Sequence, residues 1–147
     1  MASPFDKFTE HARKALSSAQ LEAQYFRHEY IGPEHLLLGI LRGGEGVALR
    51  VLRNLGVRLG AIRPAVAERL RERGAAAPKE TGLTAEAKAV VAEAVEEARR
   101  FGHGYIGTEH LLLGLLACEG TIAHAALTEL GASLDEARAE TRRLLAE

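Results

Sequence analysis

Apolar residues recur along this chain at helical spacing, in blocks separated by glycine. In the first block Ala12, Leu16, Ala19, Ala23 and Phe26 fall on one face of a helix. The Thr9 hydroxyl is placed to cap its first turn, and the pattern runs to about Arg27. His28-Glu29-Tyr30-Ile31-Gly32 reads as a connector. Pro33 suits the first turn of a second helix, where its missing N–H costs nothing. Leu36, Leu37, Leu38, Ile40 and Leu41 make that helix apolar on most sides, so it belongs at the centre of the fold. Gly43-Gly44-Glu45-Gly46 ends it. A third helix from Val47 to Leu55 turns Val47, Val51, Leu52 and Leu55 inward and stops at Gly56. A fourth from Leu59 to Arg73 buries Leu59, Ile62, Val66 and Leu70, with Pro64 in its first turn.

The pattern then starts again. Tyr30-Ile31-Gly32-Pro33-Glu34-His35-Leu36-Leu37-Leu38-Gly39 returns 75 positions later as Tyr105-Ile106-Gly107-Thr108-Glu109-His110-Leu111-Leu112-Leu113-Gly114, with nine of ten residues identical. Thr84 matches Thr9, and Ala87, Val91, Ala94, Ala98 and Phe101 match the inward face of the first helix. The predicted fold is all-α: eight helices in two tandem four-helix repeats, covering residues 1–74 and 83–147 with a linker at 75–82. Neither repeat buries enough surface alone, so the two are expected to pack with approximate twofold symmetry.

Composition narrows the function. Aromatics are few and Trp is absent, so Leu, Ala, Val and Ile must build the core. A net charge of −1 argues against a general nucleic-acid binder. The charge is uneven: residues 1–75 hold 12 Lys/Arg against 8 Asp/Glu, and residues 76–147 hold 7 against 12. The second half is therefore the more attractive surface for a cationic ligand. Cys118 stands alone, with no disulfide partner and no His or Asp at a nucleophile's spacing. No apolar run reaches membrane-spanning length and no signal peptide is visible, so a cytoplasmic protein without a membrane partner is expected. There is no Gly-x-x-x-x-Gly-Lys-Ser/Thr phosphate loop, hence no ATPase module in these residues.

Phe8-Thr9-x-x-Ala12, His28-x-Tyr30-Ile31-Gly32-x-Glu34-His35-Leu36-Leu37-Leu38-Gly39-Ile40, Glu45-Gly46-Val47-Ala48 and Leu55-Gly56-Val57 resemble the double Clp repeat. That repeat forms the N-terminal domain of the Clp/Hsp100 unfoldases, and the ClpC type is the nearest resemblance. It implies a non-catalytic module, with no cofactor or metal, that delivers proteins to an ATP-driven unfoldase and protease. The implied partners are Clp unfoldase or protease subunits, adaptors and client proteins, including arginine-phosphorylated ones. It also implies one phosphoarginine site per repeat, built from the Glu of Gly-x-Glu-His and the Thr opening the first helix: Glu34 with Thr9, and Glu109 with Thr84. A carboxylate takes a guanidinium through paired charge-assisted hydrogen bonds, and helix N-termini supply donors to a phosphoryl group. Pro33 stands where the second repeat has Thr108 and removes an amide and a hydroxyl beside Glu34, so the second-repeat site is expected to be the better one. Divergence at Arg42-Gly43-Gly44 and Cys118-Glu119-Gly120-Thr121 favours a free-standing relative over an excised unfoldase domain.

Plainer readings stand beside these. Glu34 and Glu109 also suit a helix first turn through the dipole. His28, His35, His103 and His110 match no familiar zinc spacing and are expected to bond backbone groups at helix ends, capping carbonyls. Tyr30 and Tyr105 are expected to pack the connectors. Arg63, Arg69, Arg71 and Arg73 read as a solvated helix face or a docking surface for an acidic partner. Two rival functions remain: an accessory subunit that docks on the Clp ring and regulates its assembly, and an enzyme built on the His/Glu pairs, which no triad or metal spacing supports.

Overall fold

The computed structural model describes residues 5–146. Its helices are α1 (Glu10–Tyr25), α2 (Pro33–Gly43), α3 (Val47–Asn54), α4 (Ile62–Arg73), α5 (Ala85–Arg100), α6 (Thr108–Ala117), α7 (Ile122–Glu129) and α8 (Leu134–Leu145). Short 3-10 turns at Leu59–Ala61 and Gly74–Ala76 precede and follow α4. The eight-helix, two-repeat architecture is the one the periodicity predicts.

Local chemistry sets the boundaries. Thr9 Oγ1 accepts the Ala12 amide at 3.1 Å, and Thr84 Oγ1 accepts that of Ala87 at 3.0 Å, so the two hydroxyls cap α1 and α5 alike. Helix α1 stops at Tyr25, short of the expected Arg27. The His28 amide bonds back to Ala23 O, and Arg27 takes the left-handed conformation with φ 61° that closes the turn. The second repeat places Gly102 there, which adopts φ 74° without a Cβ penalty.

Helices α2 and α6 lie at the centre. Leu36, Leu37, Leu38 and Ile40 of one, and Leu111, Leu112, Leu113 and Leu115 of the other, are all buried. Helix α3 packs on α6 and α8, and its counterpart α7 packs on α2 and α4, so equivalent helices exchange roles across a pseudo-twofold axis. One continuous apolar cluster runs through both repeats. Among the described residues no single helix is long and apolar enough to cross a membrane.

Two short parallel pairings cross between the repeats. Strand β1 (Tyr30–Ile31) pairs with β2 (Gly82–Leu83) in the register Tyr30↔Gly82 and Ile31↔Leu83, and Phe8 bridges to Ile106 in the equivalent place. The segment leading into the first helix of each repeat is thus stitched to the connector of the other. Segments this short carry no period-2 signal, which is why the sequence shows them only as connectors.

Candidate functional site

The crossed pairing decides which residues meet. The Thr84 amide donates to Ile31 O at 3.1 Å, and the Thr9 amide donates to Ile106 O at 2.9 Å. Each capping threonine therefore sits against the connector of the opposite repeat. Thr84 and Glu34 line one cavity of 310 Å3, and the pseudo-twofold axis puts Thr9 beside the Glu109 connector. This departs from the expected pairing of Glu34 with Thr9 and Glu109 with Thr84. Sequence order suggests partners within a repeat, but the leads cross.

Glu34 and Glu109 occupy the first turns of α2 and α6, with their carboxyls folded back over the glycine two residues earlier. A Cβ at Gly32 would lie 2.6 Å from Glu34 Oε1, and one at Gly107 would lie 2.2 Å from Glu109 Oε1. The glycine of Gly-x-Glu-His is there to leave room for the carboxylate. Both residues are nearly closed off, 2% and 3% exposed. Burial pushes the Glu109 carboxyl up, opposed by a hydrogen bond from its own amide, and no described side chain gives it an ion pair or hydrogen bond. Burial also pushes Glu34 up, to about 7, and the facing Glu86 adds to this.

Glu34 differs from Glu109 in having a countercharge. Arg73, at the C-terminal end of α4, donates from Nη1 to Glu34 Oε2 at 3.0 Å. Its Nη2 donates to the Tyr30 hydroxyl, and its guanidinium carbon lies 5.2 Å from the Tyr30 ring centroid. The carboxylate of this motif therefore already holds a guanidinium from its own chain. Arg73 is not part of a solvated face, and neither are two of its neighbours. Arg63 bonds the buried Glu22, and Arg69 reaches Glu129 across the repeat interface at 2.7 Å, while Arg71 pairs with Glu68 on the surface.

The Thr108 hydroxyl is spent elsewhere. It accepts the Ala48 amide at 3.2 Å and caps α3, whose own N-cap is Gly46 and has no side chain to do so. Its presence opposite Pro33 thus reflects a tie between the repeats.

The histidines form two equivalent relays. His35 Nδ1 accepts the Gly32 amide at 2.9 Å, and His110 Nδ1 accepts that of Gly107 at the same distance. That acceptor role leaves the proton of the neutral ring on Nε2, which meets His28 Nδ1 or His103 Nδ1 at 2.9 Å. The rings thus serve helix N-termini and each other, where capping of carbonyls was expected. Stacks on Phe26 and Tyr30, and on Phe101 and Tyr105, complete each cluster. Among the described residues no three His, Cys, Asp or Glu side chains converge as a metal-binding group.

Burial, with the partner histidine adding, holds His35 and His110 down at about 4. These groups favour the fold while neutral. Stability is full above the ordinary pKa of 6.5 and falls as pH drops toward 4, because the unfolded chain takes a proton that the native one does not. The His110→Asn variant isolates the histidine contribution, since Asn keeps an acceptor for the Gly107 amide but does not titrate. Between pH 7 and pH 4 the wild type should lose about 3 kcal/mol relative to this variant in urea unfolding. Parallel pH profiles would rule the relay out as an acid-labile element.

Comparison with known proteins gives a consistent answer. The chain matches the Clp repeat (R) N-terminal domain family twice, over residues 7–83 and 82–147. It is 43% identical over 141 residues to "Chaperone protein ClpB" of Oceanobacillus iheyensis, covering 96% of this chain and 17% of that protein. The same identity, length and shares hold for "Negative regulator of genetic competence ClpC/MecB" of Bacillus subtilis. The chain thus spans about a sixth of the length of these relatives. The crystal structure of the ClpD N-terminal domain from Arabidopsis thaliana superposes with a TM-score of 0.78 at 25% identity, covering 99% of both chains. The Hsp104 N-terminal domain from Candida albicans shares the fold, with a TM-score of 0.75 at 20% identity over 95% of this chain and 92% of that one.

Proposed function

The chain belongs to the Clp repeat N-terminal domain family, and we propose that it works as a non-catalytic protein-binding module of the Clp quality-control system. In this reading it captures clients or adaptors, among them arginine-phosphorylated proteins, for an ATP-driven unfoldase and protease. The observation that supports it most directly is Arg73 on Glu34: the Gly-x-Glu-His carboxylate already binds a guanidinium at hydrogen-bond distance. Glu109 repeats that carboxylate with no side-chain partner among the described residues and with Thr9 on the neighbouring lead. A buried carboxylate without countercharge gains most from an incoming cation, because the charge it meets is already desolvated. Glu109 is therefore the residue assigned to phosphoarginine, with Thr9 at the opening of α1 as donor to the phosphoryl group. Glu34 and Thr84 form the related cavity.

Calorimetric titration with free phosphoarginine tests this. Wild-type protein should bind it, and Glu109→Gln should weaken binding at least about tenfold, since it removes one partner of a charge-assisted pair. Equal affinity in wild type and Glu109→Gln would remove phosphoarginine from the reading. Capture of Clp ring subunits alone, with no clients, would favour the accessory-subunit role instead.

A further inference from the structure

The two carboxylate sites are not copies of each other. The Glu34 cavity lies between the repeats, and its polar walls are Glu34, Glu80, Thr84 and Glu86, with Arg73 as a further wall bonded to Glu34. Ile122 and Pro78 add apolar surface suited to the methylenes of a long cationic side chain. Three carboxylates around one guanidinium favour a cation and repel a phosphoryl group. At the start of α5, Glu80 Oε2 already takes the Ala85 amide at 2.9 Å, so a carboxylate stands where that donor would otherwise face a phosphate. The residue 75 positions before Glu80 is Phe5, so the Glu109 side carries no equivalent carboxylate there.

Arg73 fits the cavity incompletely. Its Nε is buried and has no hydrogen-bond partner. An unpaired buried donor disfavours this pose, and burial also pushes the guanidinium pKa down. The same residue lines a second, larger cavity of 690 Å3 between α4 and α7, whose walls include Glu68, Glu72 and Glu129. An alternative acidic surface is thus within reach of the end of α4.

We infer that the Glu34 cavity is a site for an unmodified arginine side chain, and that Arg73 occupies it in cis, so that an arginine-bearing peptide binds there only by displacing Arg73. This rests on the reading of the Gly-x-Glu-His carboxylate as a guanidinium acceptor, and extends it by giving the two repeats different ligands. One guanidinium nitrogen bonds Glu34, the other bonds the Tyr30 hydroxyl beside the ring, and the Glu80 and Glu86 carboxylates on the same walls disfavour a phosphate. An intramolecular competitor acts at an effective concentration of about millimolar or more, which suppresses weak external ligands.

The test uses three short peptides, acetylated and amidated, identical except for a central arginine, phosphoarginine or lysine. In a Glu109→Gln background, Arg73→Ala and Arg73→Gln should each raise affinity for the arginine peptide at least about tenfold over the parent. The phosphoarginine peptide should gain much less, and lysine should gain least because it lacks the planar fork. Adding Glu34→Gln should remove the gain. Backbone amide spectra establish that each variant is folded, and two Arg73 substitutions guard against one of them failing. Unchanged arginine affinity in both variants would overturn the inference, as would an equal gain for the phosphorylated peptide. The phosphoarginine titration of Glu109 is a separate experiment, so either reading can fail while the other stands.

Discussion

Gly39→Ala should destabilise the protein by about 3 kcal/mol or more, although alanine is the better helix former by about 1 kcal/mol. The reason lies where α1 crosses α2. A Cβ at Gly39 would lie 2.3 Å from Ala15 O, 2.8 Å from Ala19 N and 3.1 Å from Ala19 Cα. All three are main-chain atoms inside a helix, so no side-chain rotation relieves the contact. The helices must part by about an ångström, and the layer of Leu36, Leu37 and Leu38 beneath them must give with it. Gly114 stands at the equivalent crossing of α6 on α5 but is less tight, with distances of 2.6 Å to Val90 O and 3.1 Å to Ala94 N. Gly114→Ala should therefore cost less, about 1–2 kcal/mol. Urea unfolding of the two variants reads this order directly. If both were as stable as wild type, the crossings would be softer than the distances state.

That close approach follows from a pattern visible in the chain. Ala12, Ala15, Ala19 and Ala23 make one side of α1 small, and Gly39 faces it, so two backbones meet. The helices, their caps at Thr9 and Thr84, and the central placement of the Leu-rich segments were all legible, because each depends on local chemistry or on a 3.6-residue period. Glu34 and Glu109 were legible as site candidates from their motif. Their partners were not, because the crossed leads of β1–β2 and Phe8–Ile106 put Thr84 with Glu34 and Thr9 beside Glu109. Arg73 was equally hidden: an arginine at the end of a polar helix looks solvated until the following turn and the cavity are seen together. The duplication held a further signal. Glu22 recurs as Glu97, Arg63 as Arg138, His28 as His103 and His35 as His110, each 75 residues apart. Polar residues that survive in both copies, on helix faces that otherwise diverge, are the ones with buried partners.

Arg63→Met tests the strongest of these hidden ties and should cost about 3 kcal/mol. Glu22 is 1% exposed on α1. Arg63 grips it as a fork, Nη1 to Oε1 at 2.8 Å and Nη2 to Oε2 at 2.7 Å, and Arg42 adds one contact at 3.2 Å. Arg138 grips Glu97 side-on, Nε to Oε1 at 3.1 Å and Nη2 to Oε2 at 2.7 Å, with Arg100 as the supporting cation. Burial alone would raise the Glu22 pKa, but the Arg63 and Arg42 guanidiniums overcome it and leave the carboxyl below its ordinary range. That stabilisation is present above the unfolded pKa of 4.5 and is lost as pH falls through the lower folded value. Removing Arg63 leaves a buried carboxylate held by the weaker partner, so the loss belongs at the lower end of what breaking a buried pair costs. The paired variant Glu22→Leu with Arg63→Met removes both charges and fills both sites with apolar volume. It should recover most of the loss, since Arg42 is half exposed and returns to water. A solvated-face arginine would instead change stability by less than about 0.5 kcal/mol, singly or in the pair. The two accounts therefore differ by about 2.5 kcal/mol in one chemical-denaturation measurement on Arg63→Met, and the double variant decides whether the buried charge or the lost packing is responsible.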